Sequence, residues 1–415
     1  MGRRAGRNAL ALALGTALCF AAPAAANAPD GAARLGKLVI FHACTPEDGC
    51  ELWKSDGTAG GTKLVKDIAE GPTSSYPDEL AKLGKWVLFR AYDVASGDEL
   101  WRTDGTKAGT KRVENINPGP DSSGPEDLAR AGGRVVFGAY EPEHGSEPWV
   151  SDGTKAGTKR IEDIVKGPSG SFPGDFGSFG RLGLFAADDG QHGTELWKTD
   201  GTRAGTKQVK NIYPGSDSSS PEDFMAFRGD AYFGAQDGEH GRELWRTDGT
   251  KAGTRQVKNI APGAVDSDPA DPARLGNRLF FAASDPADGA ELWRTDGTGA
   301  GTKQVKNINP GADGSNPDSL ARLGGHLLFG AFVEGDEELW RTDGTGPGTK
   351  RVRDIYEGPT GSNLCGMIRL GKRILFQADD GIAGGELWRT DATKNGTKRL
   401  KDIVDGAGGS GAICG

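Results

Sequence analysis

The chain has 415 residues, with 58 acidic and 50 basic side chains, a formal net charge of −8 and a mean hydropathy of −0.51. That balance speaks against a nucleic-acid partner, whose phosphates need concentrated Lys and Arg. With 67 Gly, 22 Pro and only 35% hydrophobic residues, an aperiodic chain would read as disordered; here a Trp recurs at a fixed interval, which reads instead as short strands joined by tight turns.

The first predicted element is an export signal. Arg3, Arg4 and Arg7 precede the apolar stretch Ala9 to Ala22, and small residues follow at Ala24-Ala25-Ala26, the order that signal peptidase reads. Residues 1–26 are predicted to be removed, leaving Asn27 first. The apolar stretch is too short to cross ~30 Å of hydrocarbon, and bulky Leu18 argues against lipidation at Cys19. No later segment reaches membrane-spanning length, so the expected location is secreted, periplasmic or cell-surface, with no membrane span.

From residue 27 to 415 the sequence is read as one domain of repeats. Trp53, Trp101, Trp149, Trp197, Trp245, Trp293, Trp340 and Trp388 are spaced by 48 residues, except for 47 between Trp293 and Trp340. Such a period marks a propeller or solenoid, whose units cannot bury their apolar faces alone. Residues 317–357 show the grammar: PDSLARLG, HLLFGAF, ELWRTDGT and TKRVRDI are four candidate strands, separated by Gly-, Asp-, Ser- and Pro-rich turns. The prediction is therefore an all-β, eight-bladed β-propeller with four antiparallel strands per blade. The blades are expected at about 31–70, 76–118, 124–166, 172–214, 221–262, 269–310, 317–357 and 363–405. Leucine-rich solenoids have shorter repeats with one strand each, and no copy has helical apolar spacing. In strand three, Leu and Trp point to opposite faces, and both can be buried only between stacked blades. The small pairs of strand two, such as Gly138-Ala139 and Gly330-Ala331, are expected to leave room for a neighbouring blade's rings.

After each Trp comes a DGT turn, whose carboxylates are Asp56, Asp104, Asp152, Asp200, Asp248, Asp296, Asp343 and Asp391. Gly accepts a positive φ and Asp can receive nearby backbone N–H groups, so these read as structural hairpin turns. A ring of cation ligands is the alternative. Blade eight departs from the pattern, with Ala392 in place of Gly, and a strained turn is expected there. Four cysteines remain after the signal, in a compartment that permits disulfides. Cys44 and Cys50 face each other across one hairpin of blade one, and Cys365 and Cys414 are expected to pin the C-terminal tail at the closure seam.

The string Glu291-Leu292-Trp293-Arg294-Thr295-Asp296-Gly297-Thr298 resembles the repeat of the bacterial ELWxxDGT-repeat proteins, some of which carry a hyalin-like label. The resemblance spans essentially all of the mature chain and implies no settled activity. A fainter likeness, in the order of Asp189 through Trp197, is to the repeats of quinoprotein-type eight-bladed propellers, without the pocket residues of a quinone cofactor.

The loops joining strands two to three, and strand four to the next blade, share one face. Asp93, Glu141, Asp189, Asp237, Asp285 and Asp380 recur there, with Thr45 and Val333 as exceptions; the DGT turns and their basic neighbours Lys107, Lys111 and Arg112 lie opposite. His144, His192 and His240 are in register on blades three to five. Equivalent points on adjacent blades stand too far apart for zinc, whose nitrogen ligands lie about 2.0–2.1 Å from the metal. No G-x-S-x-G, Walker, H-E-x-x-H or EF-hand motif occurs. The expected function is non-catalytic binding of an extracellular protein or glycan through the loop face, with Glu141, His144, Asp189, His192, Asp237 and His240 as candidate ligand contacts. No cofactor is expected, with Ca2+ the one cation such loops would suit. The alternatives are a glycan-active hydrolase or lyase at the axial opening, or a structural envelope or matrix component.

Overall fold

The computed structural model describes residues 31 to 414. The expected signal segment, Cys19 and the cleavage point before Asn27 lie outside the described residues. The chain forms eight four-stranded antiparallel sheets arranged as a β-propeller, and one 3-10 turn at Arg203–Gly205 is the helical content among the described residues. Blade one comprises Ala32–Leu35, Leu38–Thr45, Gly49–Ser55 and Lys63–Lys66. Blade seven comprises Asp318–Leu323, His326–Val333, Asp336–Thr342 and Lys350–Arg353. First strands of neighbouring blades touch in succession, from Ala32–Leu35 round to Cys365–Leu370 and back. The first strand is therefore innermost and lines the axis.

Strand two explains why the blades must stack. Val87, Leu88 and Phe89 are consecutive and wholly buried, so both faces of that strand are dry. Each apolar cluster belongs to an interface between blades: Leu83, Leu88 and Leu100 of blade two pack with Val135, Phe137 and Trp149 of blade three. The Leu of each E-L-W thus faces one neighbour and its Trp the other. The small residue after the strand-two Phe has a different role from the one expected. A side chain at Gly138 would stand 2.6 Å from the Pro173 carbonyl of blade four and 3.4 Å from the Glu126 side chain, so the space is kept for backbone and an inner-strand acid, with no ring filling it.

The Glu of each E-L-W is fully buried and organises the loop to the next blade. Glu99 accepts hydrogen bonds from the amides of Ile116, Asn117 and Ser123 and from the Ser123 hydroxyl, at 2.7–3.2 Å. Glu51 and Glu195 repeat the pattern with Ser75 and Ser219. Burial raises these carboxyls although the donors pull the other way, and Glu99 and Glu338 are pushed up to about 7.

Two further contacts tie each blade to the next. Lys210 and Lys258, at the ends of fourth strands, cover Trp245 and Trp293 and donate to the Thr254 and Thr302 carbonyls. Blades two and three carry Glu114 and Glu162 at that position and pair instead with Lys155 (3.0 Å) and Arg203 (2.7 Å). The base after each Trp reaches the next blade's turn, as in Lys54 to the Gly105 carbonyl at 2.6 Å. Blade three has Val150 there, and Arg134 from its second strand reaches Gly201 in its stead.

The same contacts cross the seam. Arg389 donates to Gly57, and Lys401 covers Trp53 and donates to Thr62. The C-terminal tail fills the join: Ile413 is buried among blade-one and blade-eight residues, its amide donates to the His42 carbonyl, and Cys414 is bonded to Cys365. Cys44 and Cys50 are opposite each other in register and form the second disulfide.

Candidate functional site

The DGT turns occupy one end of the propeller. In every copy the Asp carboxylate accepts the amide and hydroxyl of the following Thr, as in Asp200 with Thr202 at 2.9 and 2.6 Å. The Thr hydroxyl, foremost among these donors, holds Asp56, Asp104, Asp152, Asp200, Asp248, Asp296 and Asp343 below the usual carboxylate range. Asp391 makes the same bonds, and Ala392 beside it takes a φ of 71°, a left-handed conformation that suits Gly.

The opposite end carries the strand-two-to-three hairpins and the interblade loops, and hydrogen bonds join the two sets. The Tyr92 amide donates to the Ser75 carbonyl, Phe172 to Ser146, and Asp188 to Ser171. The candidate hairpin residues are engaged within their own turns. Asp189 accepts from the amides of Gln191 and His192 and pairs with His192 Nδ1 at 2.8 Å. Asp237 and His240 repeat this at 3.1 Å. Burial pushes these two carboxyls up, and the His side-chain and amide donors outweigh it. Glu141 contacts His144 Nδ1 at 3.1 Å and pairs with Arg160. The Asp189–His192 and Asp237–His240 pairs are closed on their own hairpins, whereas Glu141 and His144 also reach the fourth strand and the loop after it, at Arg160 and Asp163. Among the described residues no group of three or more His, Cys, Asp or Glu side chains could hold a metal ion.

A second acidic set, missed in the sequence, lines the mouth of the central channel on this same end. The first strands begin with acids in register: Asp78-Glu79, Glu126-Asp127, Gly174-Asp175, Glu222-Asp223, Ala270-Asp271 and Asp318-Ser319. The second residue of each pair is left-handed, with φ between 51° and 58°. Short Asp tolerates that conformation better than most residues, and a register shift accompanies it in each blade. Three of these acids reach the next blade's inner strand: Glu79 to the Leu128 amide at 3.3 Å, Asp127 to Asp175 at 2.6 Å, and Asp271 to Ser319. Asp223 does not. It is 3% exposed, and neither carboxylate oxygen has a hydrogen-bond partner. Burial, with Asp271, Glu222 and Asp175 beside it, raises it well above the usual range. Burial and Asp127 push Asp175 up to about 7. Arg242 is the cation on this arc, 3.0 Å from Glu222 and 3.6 Å from Asp268.

The seam interrupts the acidic arc. The equivalents in blades eight and one are Gly366 and Gly31, where an added Cβ would stand 2.2 and 2.3 Å from atoms of Ile413. Acids there would collide with the tail.

Large exposed apolar side chains gather on the same end. Tyr76 and Phe172, in register before the prolines of blades two and four, are 63% and 71% exposed, with φ of 42° and 48°. Val94, Tyr140, Val265 and Ile382 lie on the adjoining hairpins and loops. The one-residue deletion in blade seven falls here too. Its short hairpin at Val333–Asp336 borders a cavity of about 500 Å³ that is also lined by Trp340, Arg351 and Pro359. Sequence reading had the acidic loops but not these features, because a lone exposed aromatic looks like any other in a sequence. Aligning the copies at the prolines would have shown the inner acids.

No family model matches the sequence, and no curated protein matches it. Solved structures do resemble it. A puromycin hydrolase superposes with a TM-score of 0.51 at 14% identity, covering 79% of this chain and 54% of that one. A prolyl endopeptidase gives 0.54 at 12% identity, covering 84% and 53%. The chain thus spans about half the length of those proteins. At such identities the likeness is one of fold.

Proposed function

We propose that the chain is an exported, non-catalytic binding module that captures a protein or glycan partner on the face built from the strand-two-to-three hairpins and interblade loops. One observation carries this reading: all the large apolar side chains strongly exposed among the described residues, Tyr76, Val94, Tyr140, Phe172, Val265 and Ile382, are on that end. Isolated exposed apolar residues need no explanation, but their confinement to one face is the mark of a contact surface. The backbones of Tyr76 and Phe172 are held in a conformation that costs free energy, and each aromatic ring is presented to solvent. The two disulfides fit an oxidising compartment. Among the described residues no helix is long and apolar enough to cross a membrane.

A glycan array and a panel of basic and acidic peptides, screened with and without EDTA, test the reading. The double change Tyr76→Ser with Phe172→Ser should weaken binding at least tenfold at unchanged melting temperature. Lys107→Glu with Lys251→Glu, on the DGT end, should leave it intact. The reverse ranking would overturn the face assignment.

The catalytic alternative draws on Asp318 and Glu337. A Cβ at Gly330 would lie 2.3 Å from Asp318 Oδ1 and 2.8 Å from Glu337 Oε1, so the two carboxyls share one small space. Polysaccharide turnover abolished by Glu337→Gln would establish it in place of the binding reading.

A further inference from the structure

We propose that the channel mouth on the arc of blades four to six receives an ammonium or guanidinium group, with the carboxyls of Asp175 and Asp223 taking its charge. This deepens the loop-face reading by assigning a ligand class to one part of that face, and it rests on that reading.

One carboxyl of the arc has no partner. In register with Asp127 and Asp271, Asp223 would be expected to accept a hydrogen bond from the next inner strand, yet both oxygens are buried without a donor. A buried acceptor left unsatisfied destabilises the fold. Its surroundings hold the carboxyl back from ionising, since Asp175, Glu222 and Asp271 lie near it and Arg242 alone opposes them. An incoming cation with N–H donors would supply the missing hydrogen bonds and draw the carboxyl into its charged form, its proton passing to solvent.

The shape of the site selects the kind of cation. Ca2+ needs six to eight oxygens at about 2.3–2.6 Å, and no three acids among the described residues converge closely enough for any metal ion. Asp175, Asp223 and Asp271 are spread along an arc, one on each of three successive blades. Such spacing suits a ligand with several amines, or with a planar fork of donors. The protein already shows the fit: the Arg242 guanidinium sits at this mouth, bonded to Glu222 and to the Ser220 carbonyl at 2.6 Å, with Asp268 beyond.

A third observation points the same way. On the rim at the blade-four end of the arc stands Phe172, mostly exposed. Aromatic faces next to carboxylates attract organic cations through the ring quadrupole, within about 6 Å of the centroid. Hydrated metal ions gain far less from such a rim. The seam side of the mouth, by contrast, has Gly366, Gly31 and the Ile413 tail in place of acids, so a bound ligand would lie off-centre, toward blades four to six.

Two sources share this chemistry, a free polyamine and the basic segment of a protein. Titration calorimetry of the intact protein at 150 mM salt with spermidine and with hexalysine separates them. Either probe, bound at about one equivalent, is the expected result, and which one binds tells the source. Asp175→Asn with Asp223→Asn should weaken that binding at least tenfold, and Phe172→Ala severalfold. Asp121→Asn with Asp217→Asn makes the same two changes on exposed loops of the same end and should change it less than twofold.

Binding equally weakened by both double variants would reduce the effect to the general field of the face and overturn the site. So would the absence of binding by both probes, or displacement of either by equimolar CaCl2. Should a glycan or peptide from the screening panel still bind Asp175→Asn/Asp223→Asn at full strength while losing affinity in Tyr76→Ser/Phe172→Ser, the loop-face reading stands and the channel assignment fails.

Discussion

At the scale of single residues, the account turns on where the chain breaks its own rule. Ala392 replaces the turn Gly of the other blades and is held at a φ of 71°, a conformation costing an L-residue roughly 1–2 kcal/mol. Ala392→Gly should therefore stabilise the protein by about 0.5–1 kcal/mol, after allowing for the greater freedom of Gly in the unfolded chain, and denaturant melts will measure it. The buried E-L-W glutamates give a pH prediction. Their folded pKa values are raised by burial, to about 7 for Glu99 and Glu338, against about 4.3 in an unfolded chain. Their contribution is fully present below the unfolded value and is lost as pH rises through 7. His42, lowered by its burial, runs the other way but is one group. The melting temperature should fall between pH 5 and 7.5. Glu99→Gln with Glu338→Gln should flatten that slope while lowering stability overall, because an amide N–H would face the donors that each Glu now accepts. A melting temperature that rises steadily across that range would contradict this. The Trp and DGT positions were legible in the sequence because packing and turn geometry repeat them in every copy. The role of Glu was not, because its partners lie 17 to 24 residues ahead and only the fold brings them back.

At the scale of strands and turns, the two hairpin types of each blade separate scaffold from surface. Asp200→Asn with Asp248→Asn should lower the melting temperature by several degrees, since each carboxylate accepts an amide and a hydroxyl of its turn. Asp189→Asn with Asp237→Asn should act mainly on the loop face, loosening turns that the Asp–His pairs and amide donors now close. Thermal melts beside binding titrations check both; equal loss of stability in the two double variants would remove the distinction. Four strands per blade and their approximate limits were readable from period-two patterning and Gly-rich breaks. The register shift and left-handed residue at the start of the first strands of blades two to eight were not. Acids after a Pro read as loop residues until neighbouring inner strands are seen to meet around the axis.

At the scale of the molecule, closure is the feature that a repeat count alone leaves open. All four strands of blade one come from the N-terminal end and all four of blade eight from the C-terminal end, so no strand is shared across the join. Side-chain clamps, the apolar cluster around Ile413 and the Cys365–Cys414 bond do that work. The disulfide closes a loop of 49 residues, and its loss through Cys365→Ser with Cys414→Ser should cost about 4 kcal/mol by the chain-entropy estimate. Denaturant melts in which the double variant matches the parent would show that the seam holds without it. The paired spacing of the cysteines made this bond legible in advance, whereas the glycines that admit the tail, Gly31 and Gly366, look like ordinary loop glycines in the sequence.

The proposed binding surface is one end of this closed ring, and amide hydrogen exchange with and without a partner found in the glycan and peptide screen tests that most directly. The account predicts slowed exchange at the interblade loops around Tyr76 and Phe172 and in the strand-two-to-three hairpins, with the DGT turns unchanged. Protection confined to the DGT turns, or spread evenly over both ends, would contradict it.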